Sequence, residues 1–192
     1  AASSGHGIYI LDPHSLEIDS DSQERINSEL PSPFIRSMFK DSKERLWIRS
    51  ANGGVTLFEL GSCTAIDIPG ADSEAIITSF AEDSRTGKIL MGSSTHGILV
   101  YEDGTSGLRR SNGVNPKNSA PHYGDATYLV GIENNGIKVF DASTETLTDF
   151  SLPNIPYDFS SWKVHCLMED NQGNVWVGAY QTGIMVIPKS MY

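Results

Sequence analysis

The chain has 192 residues, a formal net charge of −10 and 39% apolar residues, the profile of a soluble globular protein. No run approaches the roughly 18 apolar residues that a membrane span requires, so any membrane association would come through a parent protein. The acidic balance argues against nucleic acid as a partner, because phosphate binding draws on clustered Lys and Arg and the one basic doublet, Arg109-Arg110, stands alone.

The first strand signal is "GIYILD" at Gly7, and it returns as "GVTLFE" at Gly54, "GILVYE" at Gly97, "GIKVFD" at Gly136 and "GIMVIP" at Gly183. The copies are 47, 43, 39 and 47 residues apart. After each glycine the first, third and fourth residues are apolar and the second varies freely, a strand pattern with a tolerant outward position. Upstream of the last four glycines lie "LWIRS", "ILMGS", "YLVGI" and "VWVGA", in which Arg49, Gly92, Gly131 and Gly178 each precede the next repeat glycine by five. Before three of these comes an inner segment: "FIRSMFKD" ending at Asp41, "IITSFAED" ending at Asp83 and "KVHCLMED" ending at Asp170. These place inner strands near residues 35 to 40, 76 to 81 and 164 to 168. A less regular fourth strand, "CTAIDIP" or "TLTDFSLP", closes a unit.

Four short strands per unit, repeated with a period in the low forties, predict an all-β fold: a β-propeller fragment of about four blades of four-stranded antiparallel sheet. A β-sandwich would not repeat one motif five times, and no amphipathic helical stretch is evident to support a parallel α/β fold. The expected division is a half blade at 1–30, blades at about 31–70, 71–112 and 113–153, and a partial blade at 154–192. The chain thus reads as a piece of a longer propeller with open blade edges, which the remaining blades of the parent or a second copy, as a homodimer, would cover.

The composite "VHCLMEDNQGNVWVGAYQTGI", residues 164 to 184, resembles the two-component regulator propeller repeat, and "PSPFIRSMFKDSKERLWIRSANGGVTLF" follows the same order. Two units depart from it. One has Leu90 in place of the tryptophan and an inserted turn residue; the other has "NPKNSAPHYGDA" where an inner strand is expected. The resemblance implies the periplasmic sensor portion of a hybrid two-component histidine kinase/response regulator in an inner-membrane protein, responding to an oligosaccharide. Two alternatives differ in class: a protein-interaction scaffold, and a propeller lyase or glycoside hydrolase.

The individual residues offer little chemistry of the enzymatic kind. Asp41, Asp83 and Asp170 start turns, where a carboxylate accepts backbone N–H groups, and equivalent positions in separate blades diverge around a ring. No histidines stand at zinc-site spacing, His6 and His96 share one repeat position before a glycine, and no nucleophile or phosphate-loop motif occurs. No catalytic residue, metal or cofactor is therefore expected. Cys63 and Cys166 are expected to be free thiols, Cys166 packed within an inner strand. Trp47 and Trp176, mid-strand among β-branched neighbours, are read as packing between blades.

The loop entering the first strand of a blade lies at the same end as the loop leaving the second. At that end "NIPYDFSSWK" holds Tyr157, Phe159 and Trp162, either folded over its own blade or exposed to bind something. For a glycan sensor, the candidate ligand residues are Trp162 as the principal stacking platform, Tyr157 and Tyr180 beside it, and Lys163, Gln181, Arg36 and Asn52 as hydroxyl partners.

Overall fold

The computed structural model describes residues 2–51, 54–67, 76–94, 96–104, 109–110, 126–132, 135–152 and 157–192. They form one α-helix, fourteen strands and a terminal 3-10 turn. Two compact units divide the chain, Ala1–Ile77 and Thr78–Tyr192, at the start of the fifth strand.

The first unit is built on a four-stranded antiparallel meander, β1 (Ile35–Lys40), β2 (Leu46–Ser50), β3 (Val55–Glu59) and β4 (Ser62–Ile66), paired in that order. The three connections are short, so each strand finds its sequence neighbour. Ahead of the sheet stands α1 (Ser20–Glu29), whose N-cap Asp19 accepts the Ser22 amide. The helix stops at Leu30, before Pro31, because a residue preceding proline is pushed into extended backbone. Its Ile26 joins Ile8, Ile35 and Ile48 in a buried cluster.

This helix stands within residues 1–30, where the sequence predicts a half blade. The Gly7 copy of the repeat contributes only isolated antiparallel bridges, Ala2 to Ile8 and Leu11 to Ile18. Asn27 of the helix takes the place of a partner strand at Ile8, accepting its amide at 2.8 Å and donating to its carbonyl at 3.0 Å. Gly7 adopts φ +73°, and a Cβ there would meet the Asn27 Oδ1 at 2.3 Å. The glycine is required by the helix that leans on it.

The second unit stacks three sheets. The first is β5 (Ile77–Glu82), β6 (Ile89–Ser93), β7 (Gly97–Tyr101) and the two-residue β8 (Arg109–Arg110). The second is β9 (Thr127–Gly131), β10 (Ile137–Asp141) and β11 (Thr146–Asp149). The third is β12 (Val164–Glu169), β13 (Val175–Ala179) and β14 (Gly183–Ile187). The three inner strands lie within a residue of their expected positions. The segment "NPKNSAPHYGDA" lies outside the described residues, apart from Ala126.

The middle sheet explains the repeat pattern. Side chains alternate between faces, so Tyr128, Val130 and Phe140 pack with Leu90, Ile98 and Val100 of the preceding sheet. Leu129 and Ile137, with the partly buried Val139, pack instead with Val164, Val175 and Val177 of the following one. A strand covered on both faces has no polar side, which is why consecutive apolar residues are selected here instead of strict alternation.

The last sheet buries only one of its faces among the described residues. Val175, Val177, Leu167 and Ile187 join the core, while the opposite row, Met168, Trp176 and Val186, is exposed together with Ile184. Trp176 retains 39% of its surface whereas Trp47 has 0%. Trp47 is thus fully enclosed, while the face that carries Trp176 is open among the described residues. Cys63 and Cys166 are free. Cys166 is exposed on the same open face and not packed as expected, because the pleat of β12 turns it away from the Val164 and Leu167 side.

Candidate functional site

At the turn end of the sheets each inner segment finishes in an aspartate whose oxygens are fully engaged. Asp41 accepts the amides of Lys43 and Arg45 at 3.0 and 2.9 Å, then the Arg45 Nε at 2.7 Å and the Trp47 indole N–H at 2.9 Å. Asp170 repeats the scheme with the amides of Gln172 and Asn174, the Asn174 side-chain amide and the Trp176 indole N–H at 3.0 Å. The donation by Trp176, followed by that of Asn174, holds the Asp170 carboxyl down to about 2. Burial pushes Asp41 upward, but Trp47 and Arg45 outweigh it and leave the group below its ordinary value.

The second sheet solves the same problem differently. Its inserted turn residue and Leu90 remove the indole, and Asp83 accepts the Thr86 hydroxyl and the Tyr128 hydroxyl, the latter at 3.2 Å from the neighbouring sheet. Burial, then the Asp83 charge, drives the Tyr128 hydroxyl well above its ordinary value. These carboxylates fix turns, as the sequence indicates. Their bond to the indole six residues on was legible only as the shared spacing from Asp41 to Trp47 and from Asp170 to Trp176.

The opposite end brings strand-one entries against strand-two exits. The Ala51 amide donates to the Phe34 carbonyl at 2.7 Å, and the Tyr180 amide to the Lys163 carbonyl at 2.9 Å. In the last sheet this closure sets Tyr180 beside His165, with ring centroids 5.7 Å apart. The exposed Lys163 and Gln181 flank them, Gln181 at φ +66° in the tight turn. Tyr157 stands on the same last sheet's entry segment, 5.0 Å from the Phe159 ring and 5.7 Å from the Trp162 ring.

Trp162 does not occupy the position expected of a stacking platform. It is 9% exposed and belongs to the core cluster with Leu129, Ile137, Phe150 and Phe159. Its carbonyl accepts the Gly136 amide at 3.1 Å, and a Cβ on Gly136 would stand 1.8 Å from the Phe159 carbonyl oxygen. The backbone of residues 159–162 is thus pressed onto the β9–β10 loop, which spends the indole on packing. Phe159 and Trp162 of this loop pack with Leu129, Ile137 and Phe150 of the preceding sheet, while Tyr157 keeps 47% of its surface and Tyr180, in the neighbouring exit turn, 54%.

Arg36 lies in the first unit, exposed, at a bulge between Ile35 and Ser37 in the β1–β2 pairing. Asn52 lies outside the described residues. His6 and His96 act alike in their turns, each donating its amide to the hydroxyl of a serine three residues earlier, Ser3 and Ser93. Among the described residues no group of His, Cys, Asp and Glu is arranged to hold a metal ion, and no helix is long and apolar enough to cross a membrane.

Comparison with known proteins places this geometry. Residues 160–181 match the family model described as two component regulator propeller. The chain superimposes on the extracellular domain of BT3049 from B. thetaiotaomicron, described as a hybrid two component system, with a TM-score of 0.72 and 21% identity, over 98% of this chain and 24% of that one. It superimposes equally, at 0.72 and 20% identity, on the extracellular domain of BT4673 from the same organism, described as a one component system, over 95% and 25%. The computationally designed Ika4 protein gives 0.56 at 17% identity, over 79% of this chain and 89% of that one. The chain spans about a quarter of the length of the two bacterial domains. No curated protein sequence matches it.

Proposed function

We propose that this chain, with its two-component regulator propeller repeat, is a non-enzymatic part of the extracytoplasmic, periplasmic sensor of a hybrid two-component system. It binds a carbohydrate and passes the event to a histidine kinase elsewhere in the parent protein. The observation that carries the reading is the last sheet's entry and exit end. There Tyr157 presents aromatic surface against the buried Phe159 and Trp162, and Tyr180 presents a second beside His165, with the exposed Lys163 and Gln181 as their neighbours in the chain. A sugar ring offers an apolar C–H face and polar edges, and a rigidly backed aromatic surface rimmed by donors is its physical complement. Arg36 supplies a charged donor at the equivalent end of the first sheet.

The test is titration calorimetry of the chain against a panel of neutral and acidic oligosaccharides. Tyr180→Ala and Tyr157→Ala should weaken binding while leaving the melting temperature unchanged; unaltered titrations in both variants would refute the assignment.

A second reading, an interaction scaffold, draws on a different observation: the open row of Met168, Trp176 and Val186 with Ile184 beside it. Further blades of the parent or a second copy of the chain would cover such a face. Loss of self-association in Ile184→Lys, with no saccharide binding by the parent chain, would favour the scaffold.

A further inference from the structure

The first sheet breaks the repeat at one position. The residue five before the repeat glycine is Gly92, Gly131 and Gly178 in the later sheets, and Arg49 in the first. In the last sheet the glycine is enforced, since Gly178 pairs with Cys166 and a Cβ there would stand 2.5 Å from the Cys166 Sγ. The first sheet has the same register and the same bulge, but Ser37 stands opposite Arg49. A serine hydroxyl there takes the place of the thiol that a Cβ at Gly178 would meet.

One donor of that guanidinium is left over. The Arg49 Nε and the Ser37 Oγ are both buried and have no hydrogen-bond partner among the described residues. Arg36, the additional residue of the bulge, carries a second positive charge close enough to act on the first. Burial, then the Arg36 charge, lowers the affinity of Arg49 for its own proton. In a chain of net charge −10, two cations are gathered at one bulge. An unpaired buried donor is destabilising, more so when charged, and proteins depart from their own local rules mainly at functional sites.

We propose that Arg49, Arg36 and Ser37 form a binding site for an oxyanion, the carboxylate or sulfate of an acidic saccharide. The proposal rests on the carbohydrate reading above and narrows it. The Arg49 Nε–H and the Ser37 hydroxyl donate to the anion, and Arg36, exposed on the bulge, closes over it from the solvent side. Guanidinium groups suit this task because they pair planar oxyanions with two parallel N–H bonds. The bulge matters because the additional residue lets two consecutive side chains approach one place on the strand.

The experiment is an NMR titration of the arginine Nε–H resonances of the full chain with trigalacturonate, a sulfated disaccharide and a neutral galacto-oligosaccharide. The Arg49 resonance should shift and saturate with an acidic saccharide and stay still with the neutral one. The two acidic arms identify which oxyanion is preferred. Arg49→Gly, the residue of the sister sheets, should weaken acidic binding at least tenfold, and Arg49→Lys should restore part of it. If Arg49→Gly does not fold, the wild-type titration and Arg49→Lys still decide the matter. An Arg49 resonance indifferent to both acidic saccharides would overturn the proposal. Equal affinity for neutral and acidic saccharides, unchanged in Arg49→Lys, would overturn it while leaving the carbohydrate reading in place. Absence of binding by every saccharide would remove both.

Discussion

The first and last sheets are built to one plan and end in different environments. Both pair their first two strands in the same register, bulge at the same step and tie an aspartate to a tryptophan six residues on. Yet Trp47 is fully buried and its aspartate holds an arginine at 5% exposure, whereas Trp176 keeps a large part of its ring in solvent and its aspartate holds an asparagine. The shared hydrogen bonds show that the Asp–indole contact is local to the hairpin. What differs is burial, which decides how much each contact is worth.

The largest expected effect follows from that difference. Trp47→Ala should cost roughly 3 to 5 kcal/mol of stability, the range for truncating a buried aromatic. Trp176→Ala should cost less than half as much, as measured by denaturant unfolding. Equal losses would mean that Trp176 is covered in solution and would break the contrast.

The aspartates should rank in the same order. Asp41→Asn removes the partner of a buried guanidinium, and breaking a buried pair of this kind costs about 3 to 5 kcal/mol. Asp170→Asn replaces a half-buried acceptor with no arginine on it and should be milder. Similar melting curves for the two variants would show that Arg45 finds another partner.

Acidification sharpens the comparison at Asp170. Its carboxyl is depressed in the folded state to about 2 from a reference of 3.8, so the ionised form is the stabilising one. Its contribution is complete above the reference value and is lost as pH falls from about 4 toward 2. Trp176 fluorescence in a Trp47→Phe, Trp162→Phe background should follow that window, and Asp170→Asn should abolish the transition.

The smallest effects separate two glycines of the repeat. Gly136→Ala should displace residues 159–162, because the added Cβ would lie within bonding distance of a carbonyl oxygen. Gly183 has φ +82° and open space around it, so Gly183→Ala should cost only the backbone strain, about 1 to 2 kcal/mol. A Gly136→Ala variant as stable as Gly183→Ala would show that the entry loop moves freely, and with it the surface that Tyr157 presents.

The sequence by itself determined the strands, their order and their pairing, because these depend on contacts within some forty residues. Apolar runs and the repeat glycine recur in each copy and the turn aspartate in three of them, and every one of those signals is local. It also identified the loop-bearing end, since chain reversal at each turn is a topological necessity. It did not reveal the helix at Ser20–Glu29, whose apolar contribution to the core is the single buried residue Ile26, nor that the Gly7 copy would surrender its partner strand to Asn27. Nor did it distinguish Trp162 from Trp176. Both are tryptophans among apolar neighbours, one in a loop and one in a strand, and pattern assigns the loop residue to solvent and the strand residue to the core. The tertiary structure buries Trp162 and leaves Trp176 part exposed among the described residues, because burial is set by what stands opposite a face and not by the residues that form it.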